Sequence, residues 1–123
     1  MHKILLTLAY GWLTLAGVMH FFIDVVSQHV RGLRPPSPET TLYDGLHTSF
    51  ALGQVLVGVI GLWLAWRARE LLAAPPMVVL SLMAATSWFT IAALFIEYWQ
   101  PRFSIGVFAA LVVAAAVAGR HPG

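Results

Sequence analysis

The chain has 123 residues, of which 59% are hydrophobic and only 10% are charged. So few charged side chains cannot cover the surface of a soluble domain, and the composition therefore predicts a single membrane domain. The seven basic and five acidic residues form no charged run, which argues against nucleic-acid binding. The lack of cysteine excludes disulfides, thiolate metal sites and a thiol nucleophile.

The first apolar segment, about 4–28, is long enough to cross a hydrocarbon core of roughly 30 Å. Its start has the form of a signal peptide, but the apolar run continues to Val26, so we expect it to be retained as the first transmembrane helix. His20 and Asp24 lie four residues apart within it and therefore share one helix face. Ionisable residues inside a membrane helix are costly, and they indicate a functional site.

The segment 31–41 contains Gly32 and three prolines and is predicted to be a semi-extended connection. Thr41 and Asp44 have the spacing of a capping box, which predicts a second helix over about 42–68. His47 lies near the start of this helix. Gln54 follows seven residues later on the same face.

Two further helices are predicted over about 77–99, after Pro75 and Pro76, and over about 103–119, after Pro101. Glu97 lies at the far end of the third helix, on a stripe that also contains Thr90 and Ser87. Hydroxyls at such positions commonly bond their own helix backbone. The fourth helix carries a small residue at every fourth position, which suits close packing against another helix or another copy of the chain: Gly106, Ala110, Ala114 and Ala118.

The predicted fold is thus all-α, a bundle of four antiparallel transmembrane helices that spans residues 1–123 as one domain. Four basic residues lie on the side of the termini and three on the opposite side: Lys3, Arg67, Arg69 and Arg120 against Arg31, Arg34 and Arg102. Because basic loops stay in the cytoplasm, we expect both termini to be cytoplasmic and the segment 31–41 to lie outside.

Three helices direct polar side chains into the same outer half of this bundle. The leading hypothesis is a pocket that opens to the non-cytoplasmic side and binds a small or lipidic ligand, with these candidate ligand-binding residues: His20, Asp24, His47, Gln54 and Glu97. His20 and His47 are expected to lie close together and to act as one site. His2, His29 and His121 are expected to face solvent.

Two other functions compete with ligand binding, and neither has a recognisable sequence motif. One is a metal-dependent membrane enzyme with His20, Asp24, His47 and Glu97 as ligands, although their spacing matches no metal motif. The alternative to that metal site is a haem-binding membrane protein, with the haem held between His20 and His47. The other is a ligand-free subunit of a membrane complex that assembles through the fourth helix. Ligand binding is favoured over catalysis, and membrane lipid is the expected surrounding partner.

The sequence Gly17-Val-Met-His20, the proline-containing connection and Gly45-Leu-His-Thr-Ser-Phe-Ala-Leu-Gly53 resemble small bacterial four-helix membrane proteins with no established activity. That resemblance implies the four-helix architecture, and we expect the protein to lie in a bacterial inner membrane. A His and an Asp in the first of four helices are also distantly similar to the sterol-binding family of emopamil-binding proteins and the sigma-2 receptor. The later helices depart from that family, since they lack its acidic and aromatic pattern.

Overall fold

The computed structural model describes residues 1–120, and every regular element among them is helical. A π-helical turn, Phe22–Val26, interrupts the first long helix, and a short helix, Arg69–Ala73, lies between the second and the third. The predicted all-α four-helix fold is therefore confirmed. Its long helices are α1 (His2–Val30), α2 (Pro38–Arg67), α3 (Pro75–Phe95) and α4 (Gln100–Arg120).

All four helices are long and apolar enough to cross a membrane. Large apolar side chains cover the outside of the bundle, including Leu52, Ile60 and Trp63, each more than half exposed. In water such a continuous apolar surface would drive association, whereas lipid tails solvate it. These features are those of an integral membrane protein.

Helices α1 and α2 approach closely because glycines remove side chains from their contact. A Cβ atom on Gly58 would lie 2.7 Å from the backbone nitrogen of Thr14. A Cβ atom on Gly17 would lie 2.9 Å from the carbonyl oxygen of Ala51. Close backbone approach at small residues is the usual way in which membrane helices gain packing energy. The α1–α2 pair therefore forms a rigid frame for the side chains that both helices carry.

Helix α1 also packs against α4, and the two are joined to α3 by aromatic contacts. The Phe108 ring of α4 is fully buried, with its centroid 5.5 Å from the Tyr10 ring of α1 and 6.4 Å from the Trp88 ring of α3. The Tyr10 and Ser81 hydroxyls share a buried hydrogen bond of 2.7 Å. These contacts pack α1, α3 and α4 closely together in the interior of the bundle.

Helix α2 begins four residues earlier than the capping-box pattern predicts. Pro38 starts the helix, and the Ser37 hydroxyl caps it by accepting a hydrogen bond of 3.1 Å from the Thr40 amide. Proline is tolerated in a first turn because its missing N–H would have no helical partner there. Thr41 and Asp44 therefore lie inside the helix, and the predicted capping box is wrong.

The ends of α3 and α4 also differ from the prediction. Pro75 and Pro101 lie in the first turns of their helices, so α3 covers Pro75–Phe95 and α4 begins at Gln100. At Ile96 the backbone becomes extended, with φ −116° and ψ 120°. Glu97 consequently lies outside any helix, and the predicted stripe that joined it to α3 does not exist.

The predicted inward faces of α3 and α4 point outward. Ser87 and Thr90 are exposed, and each donates a 2.8 Å hydrogen bond to the backbone of its own helix. In α4, three small residues of the ladder are exposed and the fourth is half-buried, while a different set is buried: Pro101, Ile105, Phe108, Val112 and Ala115. The ladder therefore does not pack within the bundle, and packing against another copy of the chain stays a prediction.

Candidate functional site

The site begins at the outer end of α1, where Asp24 and His20 face the interior. The π-helical turn Phe22–Val26 contains Asp24, which is only 7% exposed. Its Oδ2 atom lies 2.9 Å from His20 Nδ1, one helical turn earlier. A π-helical turn is rare and often occurs at functional sites. In this protein the π-helical turn contains Asp24, the acidic residue of the site.

His47 of α2 completes a hydrogen-bonded chain that crosses between the two helices. His20 Nε2 and His47 Nδ1 are 2.8 Å apart, and the two rings are nearly parallel. We call this group the Asp24–His20–His47 chain. Both histidines are buried, and His47 is only 2% exposed. The close approach of α1 and α2 at their glycines brings the two imidazoles together.

Two tyrosines flank the His47 ring. The Tyr43 ring centroid lies 4.1 Å from it, and the Tyr98 ring is nearly parallel to it at 6.4 Å. The Tyr98 hydroxyl is buried and has no hydrogen-bond partner among residues 1–120. Burial, followed by the neighbouring Asp24 carboxylate, raises the pKa of the Tyr98 phenol well above its ordinary value. The phenol therefore keeps its proton and remains a hydrogen-bond donor.

Gln54 lies two turns deeper in α2 than His47. It is only 2% exposed, and its amide nitrogen Nε2 has no partner among the described residues. A buried donor without a partner costs about 1–3 kcal/mol, so native proteins rarely keep one without a reason. Gln54 faces the same cavity as His47.

A cavity of about 970 Å³ connects these groups. It lies between α1, α2 and the segment that joins α3 to α4, and it also contacts Tyr43, Tyr98 and Arg34. The cavity extends along α1 as far as Trp12, which lies eight residues before His20 and hence roughly 12 Å from it along the helix axis. The Trp12 indole donates a 2.9 Å hydrogen bond to the Ser104 carbonyl, which joins α1 to α4 there. The volume is at the upper end of the range for small-molecule sites.

The cavity has one wall that continues onto the outside of the bundle. Leu15, Met19 and Ile23 line it along α1, yet each is about half exposed. Residues with this spacing lie on one helix face that looks toward lipid. The cavity is therefore accessible from the apolar surface as well as from the outer end of the helices.

The outer end carries a second set of polar contacts. His29 Nε2 lies 2.7 Å from Asp44 Oδ2, which links the end of α1 to the start of α2. The Arg34 guanidinium lies 3.4 Å from the centroid of the Tyr43 ring, a cation–π contact. His29 is exposed as expected, His2 is half-buried, and His121 lies outside the described residues.

The structure brings together four of the five residues named from the sequence. His20, Asp24, His47 and Gln54 all line the buried part of the cavity, whereas Glu97 is exposed and lines only its edge. The Glu97 carboxylate is exposed and is not part of the group formed by Asp24, His20 and His47. Tyr43, which lies one turn before His47, could have been found from its spacing. Tyr98 could not, since it lies in a non-helical turn.

A metal ion would find three of the four predicted ligands in place. One ligand atom from each of His20, Asp24 and His47 lies within 4.8 Å of the others, and Glu97 is not part of this group. Two His and one carboxylate are a ligand set used by catalytic zinc. A haem between the two histidines does not fit this arrangement, because their nitrogens bond each other directly at 2.8 Å and leave no space for a porphyrin.

Comparisons of the chain with protein-family models, with curated proteins and with solved structures find no match.

Proposed function

We propose that this integral membrane protein binds a small or lipidic ligand in the cavity beside the Asp24–His20–His47 chain. The observation that carries this proposal is the buried Gln54 side chain, which lines the cavity and whose amide nitrogen has no hydrogen-bond partner among residues 1–120. A ligand oxygen would satisfy it and remove the cost of its burial. The π-helical turn at Asp24 supports the same location.

The two kinds of cavity wall favour an amphipathic ligand. One end of the cavity carries Asp24, the two histidines and Gln54, while Leu15, Met19 and Ile23 continue to the lipid-facing surface. A molecule that is dissolved in the bilayer could enter beside these apolar side chains and place a polar group at the chain. Apolar walls with a few fixed polar groups are typical of small-molecule sites.

We also propose that the cavity opens to the non-cytoplasmic side of a bacterial inner membrane, with both termini in the cytoplasm. The support is the distribution of basic residues, four on the side of the termini against three on the other. The ligand would then enter the cavity from the outer leaflet of the membrane.

The proposal can be tested with 1-aminoanthracene, an apolar probe whose fluorescence rises in a dry cavity. Purified protein in detergent should bind it saturably. Ala16→Phe places a ring in the cavity, because Ala16 lines it, and should abolish this binding. The matched control is Ala110→Phe, on the exposed face of α4, which should bind like the wild type. Non-saturable fluorescence, or equal binding by both variants, would contradict the proposal.

A second candidate function is that of a metal-dependent enzyme, favoured by the clustering of His20, Asp24 and His47. One equivalent of zinc in the purified protein, lost in His20→Ala but retained in His29→Ala, would select it. His29 is a suitable control because it is also paired with an aspartate but lies outside the cluster. Zinc below one tenth of an equivalent after incubation with excess Zn²⁺ and desalting would exclude it.

A further inference from the structure

The Asp24–His20–His47 chain has a direction, because its first member can only accept hydrogen bonds. An ionised carboxylate carries no proton, so His20 Nδ1 must donate to Asp24 across their 2.9 Å contact. With both imidazoles neutral, His20 Nε2 is then an acceptor and must receive its hydrogen bond from His47 Nδ1, 2.8 Å away. His47 Nε2 is left with a lone pair and no proton. The carboxylate thus determines the tautomer of a ring on another helix.

The His47 lone pair is available to a molecule in the cavity. His47 lines the cavity, and its Nε2 atom makes no hydrogen bond to residues 1–120. The ring cannot readily turn to exchange its two nitrogens, because the Tyr43 ring centroid lies 4.1 Å from it and Nδ1 is bonded to His20. An acceptor is therefore held in place near the outer end of the cavity.

A donor lies deeper in the same cavity, on the same helix. The Gln54 amide nitrogen has no partner, and Gln54 follows His47 by seven residues, which corresponds to roughly 10 Å along the helix axis. The cavity thus offers an acceptor at one level and a donor further in. Phe50 lies between these two levels and gives the cavity an apolar wall there.

We propose that the ligand is a membrane-soluble alcohol or phenol whose hydroxyl donates a hydrogen bond to His47 Nε2 and whose apolar body, with an oxygen acceptor for Gln54, fills the cavity. This inference rests on the proposed function. A ligand with only carbonyl or ether oxygens at that end can accept a hydrogen bond from the Tyr98 phenol, but it leaves the His47 lone pair without a donor, so the site discriminates against it. Such an unpaired acceptor in a buried site is costly.

The test compares 4-octylphenol with its methyl ether, 4-octylanisole, in which a methyl group replaces the hydroxyl proton. Each is titrated against 1-aminoanthracene bound to the purified protein in detergent. The phenol should displace the dye at a concentration about tenfold or more below that of the ether, which corresponds to one hydrogen bond. In His47→Phe, which keeps an aromatic ring beside Tyr43 and Tyr98, this preference should fall to about twofold or less.

A second pair of variants tests the role of the carboxylate. Asp24→Leu removes the group that fixes the tautomers, so the preference for the phenol should fall as it does in His47→Phe. The control is Asp44→Asn, which alters the other His–Asp pair between α1 and α2, away from the cavity lining, and should keep the full preference. If Asp24→Leu does not fold, His47→Phe alone decides the result.

The outcomes separate this inference from the proposed function. Equal displacement by phenol and ether in the wild type overturns the inference, while saturable dye binding that Ala16→Phe abolishes leaves the proposed function standing. A preference for the ether overturns it too, because His47 Nε2 would then carry a proton. One bound zinc that depends on His20 and His47 would also overturn the inference, since the imidazole lone pairs would then coordinate the metal. Absence of dye binding contradicts both proposals.

Discussion

The contact between α1 and α2 at Gly58 sets the distance between the two histidines, and one added methyl group should disturb it. In Gly58→Ala the new Cβ would lie 2.7 Å from the Thr14 backbone nitrogen and 3.0 Å from its Cα. Backbone atoms cannot rotate away as a side chain can, so the helices must separate. Overpacking of this kind costs about 1–3 kcal/mol. Replacing a helical glycine by alanine regains about 1 kcal/mol, so the net loss of stability should be about 0–2 kcal/mol.

The control for this variant is Gly45→Ala in the same helix, where no atom lies within 4 Å of the new Cβ. Gly45→Ala should gain helix propensity without any steric overlap between the new Cβ and α1. The difference between the two variants in free energy of unfolding, measured by reversible SDS titration in mixed micelles, therefore isolates the steric cost, expected at about 1–3 kcal/mol. A difference below about 0.5 kcal/mol would refute the close contact between the helices. Gly58→Ala should also weaken dye binding, since the His20–His47 contact depends on this spacing.

Two further predictions concern the orientation of α4 and of the whole chain. Ala115→Leu should lower the free energy of unfolding by about 1–3 kcal/mol, because Ala115 is only 1% exposed. Ala114→Leu, on the exposed face of α4, should change it by less than about 0.5 kcal/mol. Similar losses in both variants would mean that α4 is rotated differently. In whole cells, Leu33→Cys should react with an impermeant maleimide and Leu71→Cys should not. Leu33 is exposed in the connection between α1 and α2, and Leu71 is exposed in the short helix Arg69–Ala73 between α2 and α3. The reverse labelling would place the termini outside.

The sequence alone determined the class of protein and half of the site. Few charges and four apolar segments long enough to cross a membrane allow no soluble fold, so the four-helix bundle followed from composition. The pairing of His20 with Asp24 followed from a spacing of four residues. The glycines of α1 and α2, and the ionisable residues beside them, also marked the faces of these helices that point inward.

Only the tertiary structure decided how α3 and α4 are rotated and which groups reach the cavity. Lipid is as apolar as the protein interior, so an apolar membrane helix carries no hydrophobic face that reveals its inward side. Helices α3 and α4 bear no buried charge to mark that side, and the outward positions of Ser87, Thr90 and the small-residue ladder were therefore not predictable. The hydrogen bond between His20 and His47 and the exclusion of Glu97 depend in the same way on rotation and on where α3 ends, which packing fixes and periodicity does not.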